Sequence, residues 1–201
     1  MITDSDIQET INMNTVDFNK PAKGIYKTNK AKDFHSAEHL LCLVISELME
    51  AVEADREGRT FNDMGCTSDF EHFYRDESKL GFKEAFELNI KDTVSDKLAN
   101  AVMRILDTAG VLGLQLKEID KDNNFDYYAT KDDFIKHSFT ENVFHIIDRY
   151  FRSSEIISNR MSRMIFHINI LCEVMDIDLL RHVDLKLRYN SLSPHKHSKW
   201  Y

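Results

Sequence analysis

Two glutamates lie one helical turn apart in the stretch ISELMEAVEAD, residues 45 to 55. Glu47 and Glu50 are three positions apart, so on a helix their carboxylates are neighbours. Glu47 would lie at the edge of an apolar face centred near Val44 and Leu48. Two adjacent carboxylates beside a hydrophobic core repel each other, and their removal from water adds to the free-energy cost. We therefore expect a cation to compensate them.

Three interpretations of this pair remain open from the spacing alone. A hard divalent ion such as Mg²⁺ binds carboxylate oxygens together with water. A lysine or arginine from a facing helix could neutralise the pair without any metal. The acidic face could also simply be solvated, as charged faces of helices usually are.

The elements that would position the glutamates are helices. The chain has 201 residues with only two prolines and six glycines, and 42% of its residues are hydrophobic. So few helix breakers in a chain of this length favour long helices over a β architecture with many turns. We predict an all-α fold, a helical bundle of about five or six helices.

Apolar residues at helical spacing predict where these helices lie. Ser36 is the expected N-cap of the first helix, and Gly58 the residue that stops it. The charged segments 58 to 79 and 117 to 135 are predicted to be connections, the first with a short helical turn near residues 70 to 74. The predicted helices cover about 35 to 57, 82 to 90, 94 to 113, 138 to 154, 155 to 175 and 178 to 190.

The distribution of polar residues predicts three parts of the chain. Residues 1–33 are interpreted as a polar N-terminal arm, 34–190 as the helical domain and 191–201 as a basic tail. The formal net charge is -8, which argues against general binding of nucleic acids. Three widely spaced cysteines, a polar N-terminus and no long apolar run indicate a cytoplasmic protein that does not enter a membrane.

Three separated motifs resemble, in their order, the MazG-like all-alpha nucleotide pyrophosphohydrolases. The matching stretches are ISELMEAVEADREGR, FKEAFELNIKDTVSDKLANAVMRILDTAG and KLRYNSLSPHKHSKWY. The resemblance covers about residues 35 to 113 and 183 to 201, whereas 117 to 180 match only in being helical. It implies a bundle of the all-alpha NTP pyrophosphohydrolase type, a homodimer or higher oligomer, and Mg²⁺-dependent hydrolysis of a nucleoside triphosphate to the monophosphate and pyrophosphate.

The chain departs from this family at its second acidic motif. The family carries ELAD where this sequence has KLAN, so that Lys97 and Asn100 replace two carboxylates. By resemblance, Glu47 and Glu50 would hold Mg²⁺, or Mn²⁺. Asn100 retains an oxygen that can bind the metal, and Asp96 or Asp107 could partly compensate for the lost charge. The ammonium of Lys97 could instead take the place of the metal beside the glutamates.

Phosphate groups would be bound by basic and polar residues of the helix predicted over 94 to 113 and of the C-terminal region, as the resemblance implies. The sequence assigns no catalytic base. The candidate phosphate- and nucleotide-binding residues are Lys97, Arg104, Lys186, Arg188, Tyr189, Asn190, Lys196, His197, Lys199 and Tyr201.

Three functions follow as alternatives. The first is an active nucleoside triphosphate pyrophosphohydrolase. The second is a degenerate relative that binds a nucleotide or regulates a partner without catalysis. The third is a helical protein-interaction domain. The direction of Lys97 distinguishes the first two, because a lysine directed at the glutamates would replace the metal.

Overall fold

The computed structural model describes residues 36–61, 79–117 and 125–192. Within these ranges the chain is all-α, with seven helices and no β-strand. The predicted all-α class is therefore confirmed for the described residues. The helices are α1 (Ala37–Arg56), α2 (Lys79–Asn89), α3 (Val94–Val111), α4 (Phe125–Phe134), α5 (Phe139–Arg152), α6 (Ile157–Val174) and α7 (Leu179–Ser191).

Helix α4 lies where the sequence predicted a connection, and that prediction was wrong. Thr130 and Phe134 are buried, and Tyr127 on the same face packs against the core. The spacing of three and four positions between these residues is helical, but the pattern consists of only these three residues. Charged residues such as Asp126 and Asp133 occupy the remaining faces, which gave the segment the composition of a loop. The described helices accordingly exceed the predicted number by one.

Local signals fix the ends of the two helices that carry the glutamates and Lys97. Ser36 caps α1 by accepting a hydrogen bond from the backbone of His39, and Thr93 caps α3 in the same way through Asp96. Gly58 and Gly113 follow the two helices with φ of 68° and 64°. Glycine adopts this left-handed conformation without a steric cost, so both helices end as the sequence predicted.

Helix α3 occupies the centre of the bundle. It packs against α1, α6 and α7, and α1 also contacts α5. The apolar faces of α1 and α3 meet through residues such as Val44, Leu48, Leu98 and Ile105, which are all fully buried. The chain leaves α1 and returns to α3 at adjacent points, since the backbone N–H of Val94 donates to the carbonyl of Arg59 over 2.9 Å.

A second, smaller core joins α2 to α7. Phe82, Phe86, Ile90 and Leu185 are at most 1% exposed and form this core with Tyr189. The ring of Phe86 stacks on that of Tyr189 with centroids 4.4 Å apart. Helix α7 is thereby fixed between α3 and α2, which determines where its basic residues lie.

Several predictions fall on residues outside the described ranges. These are the polar arm 1–33, the helical turn near 70 to 74 and nearly all of the basic tail. The described helices lie within the predicted helical domain 34–190, except that α7 ends one residue later. Among the described helices, none combines the length and the apolar character that a membrane span requires.

Candidate functional site

Helices α1 and α3 run antiparallel and present charged side chains to each other. On α3, Lys97, Asn100 and Arg104 are spaced three and four positions apart and therefore share one face. Glu47 and Glu50 lie opposite them on α1. The structure thus brings together the glutamates, Lys97 and Arg104, as the sequence analysis required of a common site.

Lys97 is directed at Glu50. Its Nζ lies 2.8 Å from Oε2 of Glu50 and 2.7 Å from Oδ1 of Asp92, and its side chain is 13% exposed. Burial alone would lower the pKa of Lys97, but the hydrogen bonds to Asp92 and Glu50 outweigh it and raise the pKa above its usual value. The side chain is therefore a permanent ammonium held between two carboxylates.

Arg104 faces the other glutamate. Its Nε lies 3.4 Å from Oε1 of Glu47, whose side chain is 14% exposed. Burial raises the pKa of Glu47, and the negative charge of Glu50 raises it further. The guanidinium of Arg104 lowers this pKa but does not cancel the effect of burial. Within the described part of the chain the terminal Nη groups of Arg104 form no hydrogen bond.

Asp96 forms a separate buried ion pair with α7. The Asp96 side chain is 1% exposed, and its Oδ1 accepts from Nζ of Lys186 over 2.7 Å. Its Oδ2 accepts from the backbone N–H of Asp92 over 3.0 Å. Both carboxylate oxygens of Asp96 are therefore engaged away from Glu47 and Glu50.

The residue that links these two groups is Asp92, which the sequence analysis missed. Its carboxylate binds Lys97 and its N–H binds Asp96, so the contacts continue from α1 to α7. Asp92 has a φ of 65° in the turn before α3. An aspartate directly before an N-cap threonine is compatible with such a turn, but nothing in the sequence indicated its contact with Lys97. We call Glu47, Glu50, Asp92, Asp96, Lys97, Arg104 and Lys186 the charged seam.

Two other candidates on α7, Tyr189 and Arg188, contact α2 instead of the glutamates. The hydroxyl of Tyr189 donates to Oε1 of Glu87 over 2.8 Å, and burial together with this bond raises the pKa of Tyr189 to about 12. The guanidinium of Arg188 lies 4.0 Å from the ring centroid of Phe82. Asn190 is half-buried near the end of the helix. Tyr189 and Arg188 therefore contact the smaller core and α2, away from the glutamates.

The remaining candidates have less defined surroundings. Asn100 and Asp107 are half-buried on α3. Lys196, His197, Lys199 and Tyr201 lie outside the described residues. Their predicted roles stay predictions.

The charged seam does not fit a Mg²⁺ site as it is arranged. An ion between Glu47 and Glu50 would meet the ammonium of Lys97 and the guanidinium of Arg104, which repel a divalent cation. In the described ranges no three His, Cys, Asp or Glu side chains are grouped so that they could hold a metal ion. The arrangement instead neutralises the carboxylates with two cations of the protein itself.

No family model, curated protein or solved structure matches the chain.

Proposed function

We propose that this protein is a degenerate relative of the MazG-like nucleotide pyrophosphohydrolases that binds a nucleotide without metal-dependent hydrolysis. In this proposal Lys97 and Arg104 supply the positive charge that Mg²⁺ supplies in the family. The observation that carries the proposal is the direction of Lys97, whose Nζ lies 2.8 Å from Glu50.

The electrostatics of the pair support the replacement of a metal. Affinity for Mg²⁺ rests on carboxylate charge, and two carboxylates of the family motif are absent at positions 97 and 100. Glu50 is bound to a lysine whose pKa lies above its usual value, so this lysine does not lose its proton at any physiological pH. A metal would have to displace an ammonium that two carboxylates hold.

Binding of a phosphate group is supported by Arg104. Its side chain is 41% exposed and uses Nε for Glu47, and its Nη groups form no hydrogen bond in the described part of the chain. A guanidinium with its Nη edge free suits two oxygens of one phosphate group. Arg104→Gln should therefore weaken nucleotide binding by about tenfold, the loss of one charge-assisted contact.

The proposal is tested by restoring the family motif. We would titrate Mg²⁺ and Mn²⁺ by calorimetry into the wild-type protein and into Lys97→Glu/Asn100→Asp, with and without a non-hydrolysable triphosphate. The control Lys83→Glu/Asn89→Asp makes the same charge changes on α2, away from the charged seam. We expect metal uptake only in the restored variant, and triphosphate binding without metal in the wild type.

Two outcomes would overturn the proposal in different ways. Metal uptake and release of pyrophosphate by the wild type would make the protein an active hydrolase. Failure of both proteins to bind metal or triphosphate would remove the nucleotide function and leave the interaction domain as the remaining alternative.

A second candidate, self-association, is favoured by an exposed apolar face. Phe144 and Phe151 are 61% and 56% exposed and lie two turns apart on α5. We propose that these rings contribute to the homodimer that the family resemblance implies. Sedimentation of the wild type and of Phe144→Ser/Phe151→Ser should give a dimer and a monomer, and a monomeric wild type would refute this contact.

A further inference from the structure

A cleft of about 570 Å³ lies among α4, α5 and α6. None of the residues of the charged seam lines it. Its volume is within the range of roughly 300–1,000 Å³ that is typical of sites for small molecules. The charged residues that line it are Asp126, Asp133, Lys136, Arg149, Glu155 and Arg163, three cations and three carboxylates.

Arg163 is saturated by the carboxylates of the cleft. Its Nη2 and Nε donate to the two oxygens of Glu155 over 2.9 and 3.2 Å, and its Nη1 donates to Asp126 over 3.2 Å. This bidentate contact holds the guanidinium in one orientation. Arg163 therefore serves as a fixed wall of the cleft and has little remaining capacity for a ligand.

Arg149 and Lys136 retain capacity to bind. Arg149 donates from Nη2 to Asp133 over 3.0 Å, and its other N–H groups have no hydrogen bond within the described ranges. Lys136 lines the cleft, and its ammonium contacts no carboxylate of the described helices and turns. Two cationic residues with unused donors thus line the same cleft.

His167 is a buried polar residue at the wall of the cleft. Its side chain is 5% exposed and meets the rings of Phe134 and Phe166. Neither ring nitrogen has a hydrogen bond to any residue that the structure describes. Because His167 lines the cleft, its unused ring nitrogens can meet a ligand or water there.

The charges around His167 explain its protonation state. Burial, followed by the charges of Arg149 and Arg163, lowers its pKa to about 4, and Asp126 opposes them only weakly. The imidazole is therefore neutral at pH 7 and offers one donor and one acceptor.

We propose that this cleft binds a small molecule through an oxyanion, a phosphate, sulfate or carboxylate group, that contacts Lys136, Arg149 and His167. These residues come from the turn after α4, from α5 and from α6, so the complete site exists only in the folded bundle. The volume exceeds that of an inorganic ion, which leaves space for an organic remainder beside Ala129 and Thr130.

The balance of charge couples the proposed ligand to a proton. With His167 neutral, the three cations and three carboxylates of the cleft cancel. A bound anion adds negative charge beside the imidazole and favours its protonation. The groups that face His167 are Arg149 from α5, Arg163 on α6 and Asp126 from α4, with Asp133, Lys136 and Glu155 around the same cleft. Binding should therefore strengthen as the pH falls.

The experiment uses three probes on the full-length protein. Sulfate keeps its charge between about pH 5.5 and 7.5, so a change of its affinity with pH reports the ionisation of groups on the protein. Phenyl phosphate and benzoate test whether an organic group adds affinity, and which oxyanion is preferred. Calorimetry gives affinities, and NMR of the imidazole follows the pKa of His167 with and without sulfate. The variants are His167→Phe, Lys136→Gln and, as the matched control on the turn between α2 and α3, Lys91→Gln.

We expect sulfate to bind more tightly at the lower pH and to raise the pKa of His167. Lys136→Gln should weaken binding by about tenfold, since it removes one charge-assisted contact, and Lys91→Gln should not change it. His167→Phe, checked for folding by its thermal transition, should remove the pH dependence. A preference for either organic probe would support the proposal and identify the oxyanion.

The proposal is overturned if none of the probes binds at millimolar concentration to a folded wild type. It is overturned equally if Lys136→Gln and Lys91→Gln have the same effect. Binding that is unchanged in folded His167→Phe would remove His167 from the site and with it the coupling to a proton.

Discussion

The charged seam and the cleft are built from the same kinds of side chains but use them differently. In the seam, Lys97, Arg104 and Lys186 each contact at least one carboxylate on another element. In the cleft, Lys136 and His167 lack such a partner among the residues described. Self-neutralised charges mainly specify how helices pack, whereas unused donors leave capacity for a ligand, which the seam retains at Arg104 and the cleft at Lys136, Arg149 and His167.

The largest effect is expected where the seam is most buried. Asp96→Asn should destabilise the protein by about 3 kcal/mol, because Lys186 would remain buried without a counter-ion. The matched variant Asp92→Asn should cost less than about 1 kcal/mol, since Asp92 is 43% exposed on its side chain and Lys97 keeps Glu50. Urea denaturation measures both. Equal losses of unfolding free energy in the two variants would mean that burial does not determine how much each aspartate contributes.

The second effect concerns the cleft and depends on pH. The pKa of His167 is lowered to about 4 in the folded protein, so the unfolded chain binds a proton more readily between that value and its usual pKa. Stability should therefore fall on acidification, by about 2 kcal/mol between roughly pH 7.5 and 5.

His167→Phe is the control for this titration. The variant should lose less stability than the wild type over the same range when both are unfolded by urea. Saturating sulfate should reduce the loss in the wild type alone. A wild type and variant with parallel pH profiles would contradict the assignment.

A third, smaller effect compares one lysine from each region. Lys97→Met should destabilise by about 1 kcal/mol, because it removes the cation between two half-exposed carboxylates. Lys136→Met should change stability by less than about 0.5 kcal/mol, since Lys136 forms no ion pair with the residues that the structure describes. Thermal unfolding at low and high salt checks the pair, and only the Lys97 variant should lose salt sensitivity. A larger loss of stability in Lys136→Met than in Lys97→Met would contradict the assignment of Lys136 as the lysine without an ion pair among the described residues.

The smallest effect is expected at Glu47. Its pKa is raised mainly by burial, so the folded state binds its proton more readily and stability falls as the pH rises through that range. Glu47→Gln should therefore be relatively more stable at pH 7 than at pH 4 when compared with the wild type by urea denaturation. The opposite trend would show that Arg104 outweighs burial.

The sequence predicted the helices well where apolar periodicity was strong. For α1, Ser36, the spacing of Leu40, Val44 and Leu48, and Gly58 all indicated the same helix, and the structure has it within a residue or two of the predicted ends. Helix α4 escaped prediction because its stability comes from packing of Phe134 and Thr130 on α6, a long-range contact that a charged segment does not reveal.

The candidate site was only partly predictable for a related reason. Helical spacing placed Glu47 with Glu50 and indicated that Lys97 could reach them. It did not indicate that Asp96 would turn toward Lys186, since a shift of one position on α3 rotates a side chain by about 100°. The contact of Asp92 with Lys97 depends on a left-handed turn. Such a conformation is not determined by residue type.

The hydrogen bond between Val94 and Arg59 has a consequence for how this protein can change over generations. This bond holds the residues that follow the C-terminal end of α1 next to the first residue of α3, so the two helices stay adjacent at this point. A change of chain length between Arg59 and Val94 that keeps this hydrogen bond would leave Glu50 opposite Lys97. New sequence could thus be acquired there while the register of the two facing helices is inherited intact.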